Sequence, residues 1–390
     1  MIATARTAGT MIAKRAEFSK IFNICGRFGI RRMTTSKSNV SDCEKEVLFE
    51  CKNKRGIITL NKPKALNAIN YPMVCRILEK LQEWESDMDM VIIRGSGRAF
   101  CAGGDIVDIT REGPSKANKG KLFFKHEYLM NNFIGTYRKP YVALIDGITM
   151  GGGMGLSVHG KYRIATENTL CAMPETAIGL FPDVGGTYFL SRLPGAIGMF
   201  LALTGHRLKG ADVCKAGIGT HFCSSKNMHE LFDALVNKID PCNIQNELTK
   251  YTEDISSVQF SLARQAVVIE RIFSLTTVEE IFCALEAEGT NFSLKTLDLL
   301  KKMSPTSLKL TVKGLHKGKH MSLQECLQME CRMAGHVMEA CISSDFYEGV
   351  RALLIDKDKK PKWSPKLEDI SDEMIETYFE PLQPDEELNI

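Results

Sequence analysis

No apolar run in this chain approaches the length of a bilayer-spanning helix, which excludes an ordinary helical membrane protein. The thirteen cysteines include no CxxC pair and no paired spacing, so free thiols in a reducing compartment are expected rather than a disulfide framework. No His, Cys and carboxylate group has metal-ligand spacing, and no metal is expected. Charge of one sign is also scarce. The net charge is +3 over 390 residues, and nothing points to a nucleic-acid surface. Internal repeats are missing, and the one biased segment, the basic run at 357–362, reads as a solvated loop. What is present, 44% hydrophobic and 25% charged residues, is ordinary for a globular protein of one large or two smaller domains.

The small net charge conceals an asymmetry. Residues 1–41 hold Arg6, Lys14, Arg15, Lys20, Arg27, Arg31, Arg32 and Lys37 against the single acid Glu17, with Ala, Ser and Thr abundant. That composition predicts a mitochondrial transit peptide, cleaved between Arg32 and Asp42, and leaves a slightly acidic body.

In the body, Val47-Leu48-Phe49-Glu50-Cys51 and Gly56-Ile57-Ile58-Thr59-Leu60 read as strands of a hairpin linked through Asn53 and Gly56. Pro72 opens a helical pattern with Met73, Val74, Ile77, Leu78, Leu81 and Trp84 on one face. Val91-Ile92-Ile93-Arg94 returns to a strand, so residues 42–245 predict an α/β layer with ligand loops at strand ends. Glycine clusters disappear beyond about 245, and 259–273, 278–285, 294–302 and 323–341 read as helices of a C-terminal region spanning 246–390.

The chemistry is expected at two glycine clusters, Ala99-Phe100-Cys101-Ala102-Gly103-Gly104-Asp105 and Asp146-Gly147-Ile148-Thr149-Met150-Gly151-Gly152-Gly153-Met154-Gly155. Each follows an apolar strand. Glycine lets backbone approach a ligand closely with its N–H exposed, and two N–H groups meeting on one oxygen form an oxyanion hole. Leu156-Ser157-Val158-His159 reads as the first turn of a helix whose dipole adds to the effect. A third segment, Met173 onward, carries Glu175 and Asp183 among apolar residues and turn formers. A carboxylate in such surroundings has a raised pKa suited to proton transfer, or attacks a carbonyl as a nucleophile.

The two clusters, with Lys64-Ala65-Leu66-Asn67-Ala68-Ile69, resemble the signatures of the crotonase superfamily over roughly residues 46–240. The resemblance implies an α/β crotonase (ClpP-like) spiral of β-β-α units, here with an α-helical C-terminal region, acting on an acyl-coenzyme A thioester. It implies oxyanion donors at Gly104 and Gly152 and coenzyme A contacts at Lys64, Ala65, Leu66, Ala68, Ala102, Gly103 and Asp105. No cofactor is implied beyond the coenzyme A carried by the substrate, and no nucleic-acid or membrane partner; a homo-oligomer is admitted. Val107 stands where several relatives have a phosphate-directed lysine, which leaves Lys62 or Lys64 for that task.

The position two residues beyond the Gly-Gly-Gly run, a catalytic glutamate in hydratases of that superfamily, is Gly155 here. Ser304-Pro305-Thr306-Ser307-Leu308, the run 345–354 and Lys362-Trp363-Ser364-Pro365 instead resemble the branch that hydrolyses 3-hydroxyisobutyryl-coenzyme A. By that resemblance Glu175 and Asp183 are catalytic, and Glu127, Gly152, Glu175 and Asp183 bind substrate. Glu175 attacks the thioester or activates water; Asp183 binds a substrate hydroxyl and assists the leaving thiol. The rivals are a hydratase or isomerase on the same fold and a non-catalytic coenzyme A scaffold. His126 and His159 read as surface or packed histidines.

Overall fold

Strands β1 (Val47–Lys52) and β2 (Arg55–Leu60) pair antiparallel with Lys52 opposite Arg55. Asn53 and Lys54, at φ 51° and 58°, form the two-residue turn, a geometry whose twist matches the strands. Gly56 is therefore not in the link. It lies within β2, where a Cβ would run into the indole ring of Trp84 on helix α1 (Tyr71–Asp87). Asn70 caps that helix by accepting the Met73 N–H at 3.0 Å, and Met73, Val74, Ile77, Leu81 and Trp84 form its buried stripe.

The computed structural model describes residues 45–390; the expected transit peptide lies outside the described residues. After α1 the chain alternates between two sheets. Strands β3 (Met90–Gly95), β5 (Tyr141–Ile145) and β7 (Tyr162–Ala165) join the first, and β4 (Ala99–Cys101), β6 (Ile148–Met150) and β8 (Leu170–Ala172) join the second. With β9 (Leu208–Lys209) and β10 (His221–Phe222), the orders are β1-β2-β3-β5-β7-β10 and β4-β6-β8-β9. Successive strand pairs thus send one member to each sheet, which is the spiral of β-β-α units that the sequence led us to expect. The first sheet is buried on both faces. Val91, Ile93, Ala143 and Ile145 face the main core, whereas Met90, Ile92, Val142 and Leu144 face a second cluster with Leu231 and Leu235.

Helix α2 (Asn118–Gly135) crosses between β4 and β5. The helix α3 (Gly152–Val158) follows β6. In the C-terminal region, 259–273 yields a helix only over Ala266–Phe273 after a 3-10 turn, whereas the later patterns form helices at Val278–Glu288, Asn291–Leu300 and α5 (Leu323–Glu339); two further helices, α4 (Pro305–Gly318) and α6 (Asp345–Val350), carry the Ser304 and Asp345 motifs. Helix α5 lies antiparallel along α2: a Cβ on Gly120 would strike Met338, and one on Gly135 would strike Leu323. The closeness that these glycines allow brings α5 onto the functional loops.

Candidate active site

Helix α3 starts at Gly152, four residues before the start expected from the sequence. The glycines are inside the helix because neighbours press against it, not because the chain turns there. A Cβ on Gly153 would collide with the Cys101 carbonyl. A methyl on Gly155 would lie 2.7 Å from Asn131 Nδ2 and 2.8 Å from Val184 Cβ, and one on Gly152 would collide with a carboxylate oxygen of Glu127. Helix α2 thus lays Glu127 and Asn131, one turn apart, along the glycine stripe Gly152 and Gly155. Just before the helix, Gly151 (φ 47°) has Glu175 Oε1 2.9 Å from where its Cβ would be.

The two glycine clusters meet. A Cβ on Gly152 would sit 3.3 Å from the Gly104 nitrogen, and one on Gly103 would sit 3.9 Å from the Gly152 nitrogen. Flanking N–H groups are consumed: Ile69 donates to the Gly103 carbonyl at 2.9 Å and Asp105 to the Ile69 carbonyl at 2.7 Å. Among the described residues, neither the Gly104 nor the Gly152 N–H has a hydrogen-bond partner. Two unpaired donors so close together suit one developing oxyanion.

Three buried carboxylates surround them. Glu127, Glu175 and Asp183 are all at most 5% exposed. Oε1 of Glu127 and Oε2 of Glu175 have no hydrogen-bond partner. Burial, then the charges of Asp183 and Glu175, hold Glu127 well above the ordinary carboxylate range; burial and then Asp183 do the same to Glu175. Burial also pushes Asp183 up to about 7, although its Oδ2 accepts the Tyr128 hydroxyl at 2.9 Å, which favours the charge. Like charges this close cannot all ionise at neutral pH, so the group holds transferable protons there.

The loops carrying these acids are held from the C-terminal region. Glu175 opens a 3-10 turn (Glu175–Ile178), and the Thr176 carbonyl accepts the Ser304 N–H at 3.1 Å. Ser304 Oγ in turn donates to Asp345 Oδ2 at 2.6 Å, and the backbone of Asp345 closes on Gly179 (φ 78°) so tightly that no Cβ fits. The Ser304 and Asp345 motifs are therefore a brace under Glu175. After Asp183, Gly185 N–H and Thr187 N–H donate to Glu330 of α5 at 2.6 and 2.9 Å, and Thr187 Oγ1 donates at 2.6 Å. Burial raises the Glu330 carboxyl above its ordinary range, and these three donors, each favouring the charged form, oppose the rise.

The expected coenzyme A segment runs along the first cluster. Ala102 N–H donates to the Leu66 carbonyl at 3.0 Å, and Asn67, fully buried, donates to the Ser96 and Ala99 carbonyls at 2.9 and 2.7 Å. The N–H groups of Ala65, Leu66, Asn67 and Ala68 are all used within the segment itself, so it offers a ligand carbonyl oxygens and aliphatic surface. Lys62 is tied to Asp105 at 3.2 Å and to Glu46 at 3.7 Å, whereas Lys64 and Ala65 are exposed. Of the two lysines expected to meet phosphates, Lys64 is the one turned to solvent.

Sequence reasoning missed Tyr128, Asn131 and Glu330. The first two follow Glu127 at one and four residues, and Glu330 interrupts the apolar face of α5 between Leu327 and Met333, a charge at a core position that was the available signal. His126 lies on α2 with Nδ1 2.9 Å from the Leu122 carbonyl. His159 is half-buried, and its desolvation lowers it to about 4, so its neutral ring donates from Nε2 to the Val184 carbonyl at 2.7 Å. Neither histidine touches the three carboxylates.

Known proteins are similar to this chain in sequence and fold. The family described as Enoyl-CoA hydratase/isomerase matches residues 55–379. The mitochondrial 3-hydroxyisobutyryl-CoA hydrolase of Xenopus tropicalis is 50% identical over 91% of this chain and 94% of its own. The protein of the same name from Danio rerio is 51% identical over 86% and 90%. Among solved structures, a carnitinyl-CoA dehydratase from Mycobacterium thermoresistibile superposes with a TM-score of 0.82 at 35% identity, covering 88% of this chain and 98% of that one. Fold, glycine clusters and relatives agree: the chain belongs to the enoyl-CoA hydratase/isomerase family.

Proposed function

We propose that this protein is a mitochondrial thioester hydrolase that cleaves 3-hydroxyisobutyryl-CoA to 3-hydroxyisobutyrate and free coenzyme A, a step of valine degradation, and accepts 3-hydroxypropionyl-CoA as well. The observation that carries the reading is the filling of the Gly155 site. Asn131 and Val184 stand where the hydratase glutamate that follows the glycine run would need room, while two unpaired N–H groups and three buried carboxylates remain. That set suits a tetrahedral intermediate rather than hydration of a double bond. The relatives named for this hydrolase, at about half identity over most of the chain, support it. The N-terminal basic segment and the relatives' mitochondrial names support the location.

In this reading the thioester oxygen lies between the Gly104 and Gly152 N–H groups. Glu175, with one carboxylate oxygen unpaired, attacks the carbonyl carbon. The oxyanion collapses, the C–S bond breaks and the sulfur leaves, taking a proton from Asp183. Asp183, now a carboxylate, takes a proton from the water whose oxygen adds to the acyl carbon of the acyl-glutamyl anhydride; the C–O bond to Glu175 breaks, releasing the carboxylic acid and restoring the Glu175 carboxylate and the protonated Asp183. Asp183 uses Oδ2 for Tyr128 and keeps Oδ1 for the substrate hydroxyl. Free-thiol release across short acyl-CoAs with the purified protein tests the activity; release from none of them removes it.

Asp183→Asn separates recognition from proton delivery. If Asp183 binds the hydroxyl, hydrolysis of 3-hydroxyisobutyryl-CoA falls further than that of isobutyryl-CoA, by the roughly 1–3 kcal/mol that a buried charged hydrogen bond is worth. Equal slowing of both thioesters would leave only proton delivery to the thiol.

The hydratase reading has its own test. Gly155→Glu puts back an acid at the position hydratases use, but its Cβ meets Asn131 and Val184. The expected result is a loss of roughly 1–3 kcal/mol in stability from overpacking, with no hydration of crotonyl-CoA. A stable variant that hydrates crotonyl-CoA would restore the hydratase reading.

A further inference from the structure

Asp183 begins a turn that few sequences would choose. Its carbonyl accepts the Gly186 N–H at 2.7 Å across Val184 and Gly185, at φ 53° and 80°. Two central residues in the left-handed region suit Gly or Asn. A β-branched residue there is strained and persists only where its surroundings over-determine it. Two contacts supply that constraint. On one side the half-buried His159 ring donates to the Val184 carbonyl at 2.7 Å. On the other, Glu330 reaches from α5, 145 residues downstream, and takes the Gly185 N–H on Oε2 and both the N–H and the hydroxyl of Thr187 on Oε1.

We infer that Glu330 is a positioning residue for Asp183, so that the C-terminal helical region is a working part of the active site and not only a cover over it. Glu330 has no exposed surface and its hydrogen bonds go to Gly185 and Thr187, so it acts through the turn. A carboxylate is required because three donors converge on two acceptor oxygens. Glutamine would present an NH2 to an N–H or a hydroxyl, and the shorter aspartate would fall about one methylene short. With Glu330 gone, two buried N–H groups are unpaired and the strained turn is free to relax, carrying the Asp183 carboxylate away from the Tyr128 hydroxyl. The inference rests on the thioesterase reading above, in which Asp183 meets the substrate.

A double-mutant cycle with Asp183→Asn tests it. Glu330→Gln alone should lower kcat for 3-hydroxyisobutyryl-CoA by between about ten- and a hundredfold, the usual cost of small misplacement, while affinity for product coenzyme A changes less than about twofold. In the Asp183→Asn background the same substitution should cost less than about twofold, because its effect passes through a carboxylate already removed. Equal losses in both backgrounds, or full activity of Glu330→Gln, overturn the inference and assign Glu330 a general structural role or none. Should Glu330→Gln fail to fold, Thr187→Val, which deletes one hydroxyl donor, carries the same cycle with an expected loss of about threefold. Thiol release by the unmutated protein is measured alongside. Its absence removes the thioesterase reading and the inference together, whereas additive losses count against Glu330 alone.

Discussion

Glu175→Gln is expected to cut thiol release by about a hundredfold or more while leaving coenzyme A binding intact. The amide cannot attack a thioester or take a proton, and it changes neither the size of the side chain nor the 3-10 turn beneath it. Coenzyme A contacts are expected from the segment around Lys64 to Ala68, held by its own hydrogen bonds to Ala102 and Gly103, and these do not depend on Glu175. The pH profile offers a second measure. In the proposed mechanism Glu175 reacts as its anion, and burial plus the Asp183 charge hold its proton above the ordinary value of 4.5. Activity should therefore be lost as pH falls through a limb displaced upward from that value, and Glu175→Gln should abolish the limb. Activity within a few-fold of the parent would remove Glu175 from the chemistry.

Gly152→Ala should be nearly as damaging although it keeps the N–H. Gly152 has no positive φ, so alanine imposes no backbone strain; the effect is steric. The added methyl would push against Glu127 and sit 3.2 Å from Ile69 Cδ1 and 3.3 Å from the Gly104 nitrogen, in the space between the two donors. An oxyanion displaced from both forfeits on the order of 3 kcal/mol, roughly a hundredfold in kcat. Thermal melting and coenzyme A binding serve as folding controls. Normal turnover in a folded Gly152→Ala protein would place the oxyanion donors elsewhere.

The parts of this molecule that were legible beforehand are those encoded locally. Strand alternation and the α1 stripe from Met73 to Trp84 each occupy a short stretch of chain and formed where expected, and the two glycine clusters follow their strands as read, although the second lies partly inside a helix. The convergence of Gly104, Gly152, Glu127, Glu175 and Asp183 was foreseen through resemblance to a family, not through spacing. What stayed hidden depends on partners distant in sequence. Gly56 reads as a turn residue until Trp84 is seen against it, and α3 reads as starting at Leu156 until Cys101, Glu127 and Asn131 are seen against its glycines. Glu330 reads as one more helix acid until the orphan donors of Gly185 and Thr187 arrive from 145 and 143 residues away.

The braces under Glu175 and behind Asp183 have a consequence for how the protein is made. Ser304, Glu330 and Asp345 follow both sheets in the sequence, so in import from the N-terminus they enter the matrix after them. The incoming chain can form its β-β-α spiral early, yet hold the two acid-bearing loops in whatever conformation relieves Val184. Competence is acquired late, in a docking step of high sequence separation that is intrinsically slow and leaves apolar surface exposed meanwhile. A premature stop before Asp345 would thus yield a protein with an intact-looking scaffold and no thioesterase. The interval before that docking is when folding helpers in the mitochondrial matrix have most to protect.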